Sequence, residues 1–246
     1  VRSQGIWRKA HEGAKVKSVS IGRYPRSKAA TVTITMELPA VDATWQTVYT
    51  VYGRGDVAVT ARFDPNKTDL PYIPRMGMQM VLPAGFDRIM WLGRGPHETY
   101  CDRKDARVGL YQGTVAEQFY WDYTEPGESG NKVDVRWVAL MNRKGIGLLA
   151  VGQPLLSVNA LHYTTDDLQA AEHPYQLPKR DITVLNLDLM QQGVGGDNSW
   201  GAWPHKEYLI PCRQYTYRFC LRPIDRWMGD IRNIATASMA VPSIER

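Results

Sequence analysis

Short runs in which apolar and polar residues alternate with period two recur along most of this chain, and no other feature constrains its fold as strongly. Residues 15–21, 30–38, 44–52 and 57–63 carry the pattern, the last two joined at Gly53-Arg54-Gly55-Asp56. Alternation of this kind buries one face of a strand and wets the other, and the short glycine-containing connection makes the joined pair a hairpin. The pattern returns at 75–82 and 86–92 around Pro83-Ala84-Gly85, at 133–140 and 147–151 around Asn142-Arg143-Lys144-Gly145, at 182–189, and at 207–210 and 214–219. Before the C-terminal segment a single short helix is predicted, over 165–171, capped by Thr164 or Thr165, with Asp166 and Asp167 in its first turn and Pro174 and Pro178 stopping it. Strands at this spacing without crossover helices imply a large antiparallel all-β sandwich, not a parallel α/β fold. The 246 residues suffice for one such domain. It is read here as 1–225, with 64–74 crossing between sheets and 226–246 forming a short helix and a C-terminal tail.

Composition narrows the functional classes. With 43% apolar and 22% charged residues the chain is neither disordered nor fibrous. Its formal charge of +5 is spread along the sequence, which argues against a nucleic-acid surface. Cys101, Cys212 and Cys220 share no metal-ligand spacing, and an odd count cannot pair fully within one chain. The last two flank a strand, whose extended length disfavours a disulfide between its ends. The methionines at 76, 78 and 80 form a packing stripe, not a metal site. No signal peptide and no apolar run long enough to span a bilayer is present, so neither membrane insertion nor a particular compartment, cytoplasmic or periplasmic, is indicated. The opening Val1-Arg2-Ser3 lacks an initiator methionine, and a fragment or processed subunit is the expectation.

The first candidate site follows the strand at 182–189. In Gly193-Val194-Gly195-Gly196-Asp197-Asn198-Ser199-Trp200, three glycines permit close backbone approach, and Asp197, Asn198 and Ser199 supply short hydrogen-bonding groups beside the indole of Trp200. Polar groups for hydroxyls beside a flat apolar face suit a sugar. The alternative is a glycine turn with a core tryptophan. A second polar loop, Gly93-Arg94-Gly95-Pro96-His97-Glu98-Thr99-Tyr100-Cys101-Asp102-Arg103, carries either function or an arginine–carboxylate network joining Arg94 or Arg103 to Glu98 or Asp102. A third segment places Tyr120, Trp121 and Tyr123 before the turn containing Glu128. His97, Glu98, Glu128 and Tyr123 are therefore candidate pocket-rim residues. His162 and His173 flank the short helix without partners at metal spacing.

In that order, Trp91-Leu92-Gly93-Arg94-Gly95-Pro96-His97-Glu98 with Asp102-Arg103, Pro126-Gly127-Glu128, and the loop ending at Trp200 resemble three segments of the C-terminal domain of β-galactosidases of glycoside hydrolase family 2. That region is also known as the small chain. The resemblance is specific from about residue 73 to 221 and rests on strand pattern and Trp7 before that. It implies a supersandwich of the galactose-mutarotase-like type and, in the parent enzyme, retaining hydrolysis of β-galactosides such as lactose. It also implies that Trp200 stacks on the aglycone sugar, with Asp197, Asn198 and Ser199 beside it. The catalytic glutamates would lie on a separate barrel domain, so this chain alone would hold no catalytic residue, no metal site and no cofactor. Any Mg or Na required by the parent would be held mostly by other domains. Implied partners are a β-galactoside, the barrel domain and further copies of the parent in a homo-oligomer. Two rivals stand beside this reading. One is an aldose 1-epimerase-like enzyme using a histidine acid and a glutamate base, His162 or His173 with Glu128. The other is a stand-alone carbohydrate-binding domain with Trp200, Trp121 and Tyr123 as its platform.

Overall fold

The structure is a computed structural model that describes residues 4–198 and 200–239. Eleven strands form one hydrogen-bonded network. They are β1 (Lys15–Tyr24), β2 (Ala29–Leu38), β3 (Ala43–Tyr52), β4 (Val57–Pro65), β5 (Arg75–Pro83), β6 (Arg88–Gly95), β7 (Arg107–Thr114), β8 (Lys132–Met141), β9 (Gly147–Leu161), β10 (Ile182–Gln191) and β11 (Tyr215–Ile224). Every pairing is antiparallel, in the order β1-β2-β3-β4-β11-β9-β8-β6-β7, with β10 and β5 branching from β9. The all-β prediction holds.

β9 creates the branch. Its residues 147–153 pair with β11 and its residues 157–161 with β10. Pro154 sits at the change of partner, where a residue without an N–H cannot donate to a ladder. The branch folds β10 back over the main sheet, so that Leu185 and Leu187 join Val59, Ala61, Tyr217 and Phe219 in the principal core. Tyr217 donates its hydroxyl to the Leu187 carbonyl at 3.1 Å, tying the layers together. Arranged this way, β10 is covered on both faces from Val184 to Asp188. The alternating pattern suggested one wet face, and the face carrying Asn186 and Asp188 is buried as well.

A second core gathers Leu38, Val41, Phe63, Ile73 and Tyr215 near Trp7, whose indole donates to the Pro71 carbonyl at 3.0 Å. One unpredicted strand, one strand limit and one assignment differ from sequence expectation. β7 and the second half of β9 carry no clean alternation, and residues 207–210 form a short 3-10 turn and a single bridge, Ile73 to Ile210, in place of a strand. The one-turn α1 (Gly5–Arg8) precedes the sheet, so the helix expected at 165–171 is not the single helix before the C-terminal segment. The helix at the predicted position, α2 (Thr165–Ala170), is capped by Thr164: its Oγ1 accepts from Asp167 N at 3.1 Å while the Asp167 carboxylate accepts from Thr164 N at 2.9 Å. A third helix, α3 (Ile231–Met239), lays Ile234 and Ala235 against Trp137, Leu149 and Val151 on the outer face of the sheet. No helix among the described residues is long and apolar enough to cross a membrane.

Candidate functional site

The ladder between β9 and β10 places Asn159 opposite Asn186 and Ser157 opposite Asp188, and on its other side β10 sets Gln79 opposite Asn186 and Gly77 opposite Asp188. Two polar rows therefore cross three strands. Gly77 is required there, because a Cβ would overlap the Asp188 carboxylate and crowd its backbone. The row continues from Ser157, which donates to Asn131 at 2.9 Å, to the Thr99 carbonyl, which accepts from Asn131 at 2.9 Å.

Arg75 closes the end of this layer. Its Nη2 donates to Glu128 and to Gln191, each at 2.9 Å, and its Nε lies 2.9 Å from Asp188. Asp188 is 1% exposed. Burial drives its carboxyl up to about 7, against the opposing pull of Arg75. Glu98 is also buried and accepts from Gly130 N at 2.7 Å, from the Tyr123 hydroxyl and from Arg103. Burial works to raise its pKa, but these bonds prevail and hold it below the usual carboxylate range. Of the pairings open in the sequence, the structure thus makes Arg103 with Glu98, while Arg94 turns to Asp134 at 2.5 Å. Lys132, 3% exposed, donates to the Gly130 carbonyl at 2.8 Å, and burial pulls its pKa down to about 8.

Above the polar rows lies a cleft of about 780 Å3. Asn159, Leu161, Val184 and Asn186 form its floor, Arg75 and Glu128 one wall, and the segment from Tyr163 to His173 the other. Glu128 and His173 therefore share a cleft, whereas His162 is set into the fold with Nδ1 2.7 Å from the Ile182 carbonyl. His97 lies elsewhere, in a shallow groove with Lys104 and Arg107, where its Nε2 is 2.9 Å from the Asp105 carbonyl. Tyr123 is bound up with Glu98 and Arg103, and Trp121 packs edge-on to Phe119 and Tyr163.

The glycine loop leaves the same end of β10. Gly193 N donates to the Tyr208 carbonyl at 2.8 Å and Gly195 N to Asp102 at 2.8 Å. A Cβ at Gly193 would press on Asp102 and one at Gly196 on the Ala202 backbone. The Asn198 oxygen accepts from Trp200 N at 2.9 Å, an Asx turn. Asp197 lies 2.8 Å from His205, and this partner raises the histidine's pKa. Two of the predicted hydroxyl-binding groups thus also shape the loop. Ser199 lies outside the described residues. Trp200 is 93% exposed, so it is a presented side chain and not core.

Several of these residues escaped the sequence reading. Asn186 and Asp188 read as a wet strand face; the available signal was the strand-disfavoured types Asn and Asp recurring at alternate positions. Arg75, Gly77 and Asn159 gave none alone, because their role comes from cross-strand partners. Cys101, Cys212 and Cys220 are free thiols. Among the described residues, no group of three His, Cys, Asp or Glu side chains is placed to hold a metal ion.

What this geometry defines is an all-β, two-layer sandwich domain with a buried polar network at one end and an exposed tryptophan loop beside it. Residues 2–221 match the family pattern described as β-galactosidase small chain, and the chain belongs to that family. Similar proteins include β-galactosidases of Priestia megaterium, 39% identical over 89% of this chain and 21% of that protein, and of Halalkalibacterium halodurans, 33% identical over 85% and 21%. The chain thus spans about a fifth of the length of these relatives. Among solved structures, a galactose 1-epimerase from Lactobacillus acidophilus aligns over 84% of this chain and 66% of that one at TM-score 0.46 and 8% identity. The galactosidase domain of an α-galactosidase–sucrose kinase aligns over 86% and 28% at TM-score 0.47 and 12% identity.

Proposed function

We propose that this chain is the substrate-contacting, non-catalytic domain of a retaining β-galactosidase of glycoside hydrolase family 2. The parent removes terminal β-D-galactosyl residues from β-galactosides such as lactose. The observation that carries this reading is an exposed Trp200, held on a loop anchored to Asp102 and Tyr208, within a chain of the β-galactosidase small chain family. Trp200 stacks on the aglycone sugar, with Asp197, Asn198 and Ser199 offering hydrogen bonds around it. A barrel domain of the same enzyme supplies the catalytic glutamates and most ligands of any Mg or Na, and the parent assembles as a homo-oligomer.

The carboxylates of this chain favour that division of labour. A retaining glycosidase needs two carboxyl groups about 5 Å apart, one with a raised pKa to serve as acid. Glu98 is held ionised by its donors, Glu128 is paired with Arg75, and Glu117 accepts from Thr114 N at 2.7 Å. Asp188 does have a raised pKa but is sealed below the surface. The test is hydrolysis of a chromogenic β-galactoside by this chain alone and after addition of the remainder of the enzyme. Activity only on mixing is expected. Turnover by the chain alone would mean that two of its own carboxylates are catalytic and would overturn the reading.

A further inference from the structure

The cleft over β9 and β10 is organised well beyond what a scaffold requires. Asn159 and Asn186 are almost wholly buried at its bottom, and such groups cost stability unless their hydrogen-bonding capacity is used. The Asn186 oxygen accepts from Gln79 at 2.9 Å, and Asn159 donates to the Ser129 carbonyl and toward Glu128 at 3.4 Å. The Glu128 carboxylate stands above them, its orientation set by Arg75. Acceptors and amides thus converge on one side, while Leu161, Val184 and Leu168 supply an apolar strip on the other. The volume of about 780 Å3 lies within the roughly 300–1,000 Å3 of small-molecule sites, which share this mixed lining.

We propose that this cleft is a second saccharide site that takes a neutral hexopyranose or a short β-galactoside, separate from the Trp200 loop. A pyranose presents hydroxyls that both donate and accept, matching carboxylate and amide, and C–H faces that match the apolar strip. The charge of the lining selects a neutral ligand: Glu125, Glu128 and Glu172 face one arginine that is already paired with Glu128 and Asp188. A phosphorylated or acidic sugar would meet repulsion. No described residue from Gly193 to Trp200 lines the cleft, so the proposed site is separate from loop stacking and from the function proposed above.

The test is an NMR titration of the 246-residue chain with galactose and with lactose, following the side-chain amides of Asn159 and Asn186. Saturable shifts of these signals are expected in the millimolar range, unchanged by Trp200→Ala. Asn186→Leu and the shape-preserving Glu128→Gln should each weaken binding about tenfold, the scale of one lost hydrogen bond to a ligand. Galactose 6-phosphate should not bind. Absence of saturation at the two amides would overturn the proposal, as would shifts confined to residues 193–205 or abolished by Trp200→Ala. Unchanged affinity in a folded Glu128→Gln variant, or equal binding of the phosphorylated sugar, would overturn it too.

Discussion

The polar floor under β9 and β10 and the tryptophan loop both sit at one end of β10, yet they are built on opposite principles. The floor is fixed by strand register: each of Asn186, Asp188, Asn159 and Ser157 faces a cross-strand partner, and Arg75 joins two carboxylates at its edge. The loop is held by a few bonds from its backbone, to Tyr208 and Asp102, and by an internal Asx turn, with its largest side chain in solvent. Side chains in the floor are therefore costly to change, whereas Trp200 is nearly without consequence for the fold. The two regions should therefore respond differently to substitution, and mutations can show it.

The largest effect is expected at Arg75. Arg75→Met leaves Asp188 without the cation that contacts it and, above about pH 8 where Asp188 is ionised, should cost up to about 3–5 kcal/mol, the range for breaking a buried pair. Unfolding in denaturant measures it, and the cost should shrink at pH 5, where Asp188 carries its proton. The pH dependence has a definite sign. Asp188 ionises near 3.8 when unfolded and near 7 when folded, so its contribution is complete below about pH 4 and is lost as pH rises to about 7, by up to ~1.4 kcal/mol per pH unit. Asp188→Asn should remove that portion of the slope, and an unaltered slope would disprove the assignment. Next in size, Gly77→Ala drives a methyl group into Asp188 and should destabilise by about 1–3 kcal/mol, read as a lower melting temperature.

The same contrast explains what the sequence revealed. Strands β3, β4 and β5 announce themselves because one side of each packs on a core and period-two alternation records it. β10 misleads: its second face is polar but covered, so Asn186 and Asp188 looked solvated although the fold closes over them. The loop was legible because its glycines, Asx residues and tryptophan are contiguous, and local chemistry survives in a linear reading. The cleft was not, because Arg75, Glu128, Asn159 and Asn186 come from four separate segments that only strand pairing brings together. Glu128 and His173 were paired in the sequence reading only as one choice of base and acid in the epimerase-like alternative, and the cleft they share is a product of topology.

Smaller effects sharpen the loop side. Asp102→Asn weakens the bond from Gly195 N and should cost about 1 kcal/mol or less of global stability. Its larger signature should be faster amide exchange at Gly195 and a higher KM for lactose in the intact enzyme. Trp200→Ala should change global stability by less than about 0.5 kcal/mol, as expected for an exposed side chain.

The decisive measurement is the lactose kinetics of Trp200→Ala in the intact β-galactosidase. If Trp200 is the sugar-stacking contact, KM or the affinity for glucose as acceptor should weaken about tenfold, equivalent to ~1.4 kcal/mol, with an unchanged melting temperature. Unchanged kinetics in the folded variant would contradict the role assigned to this loop.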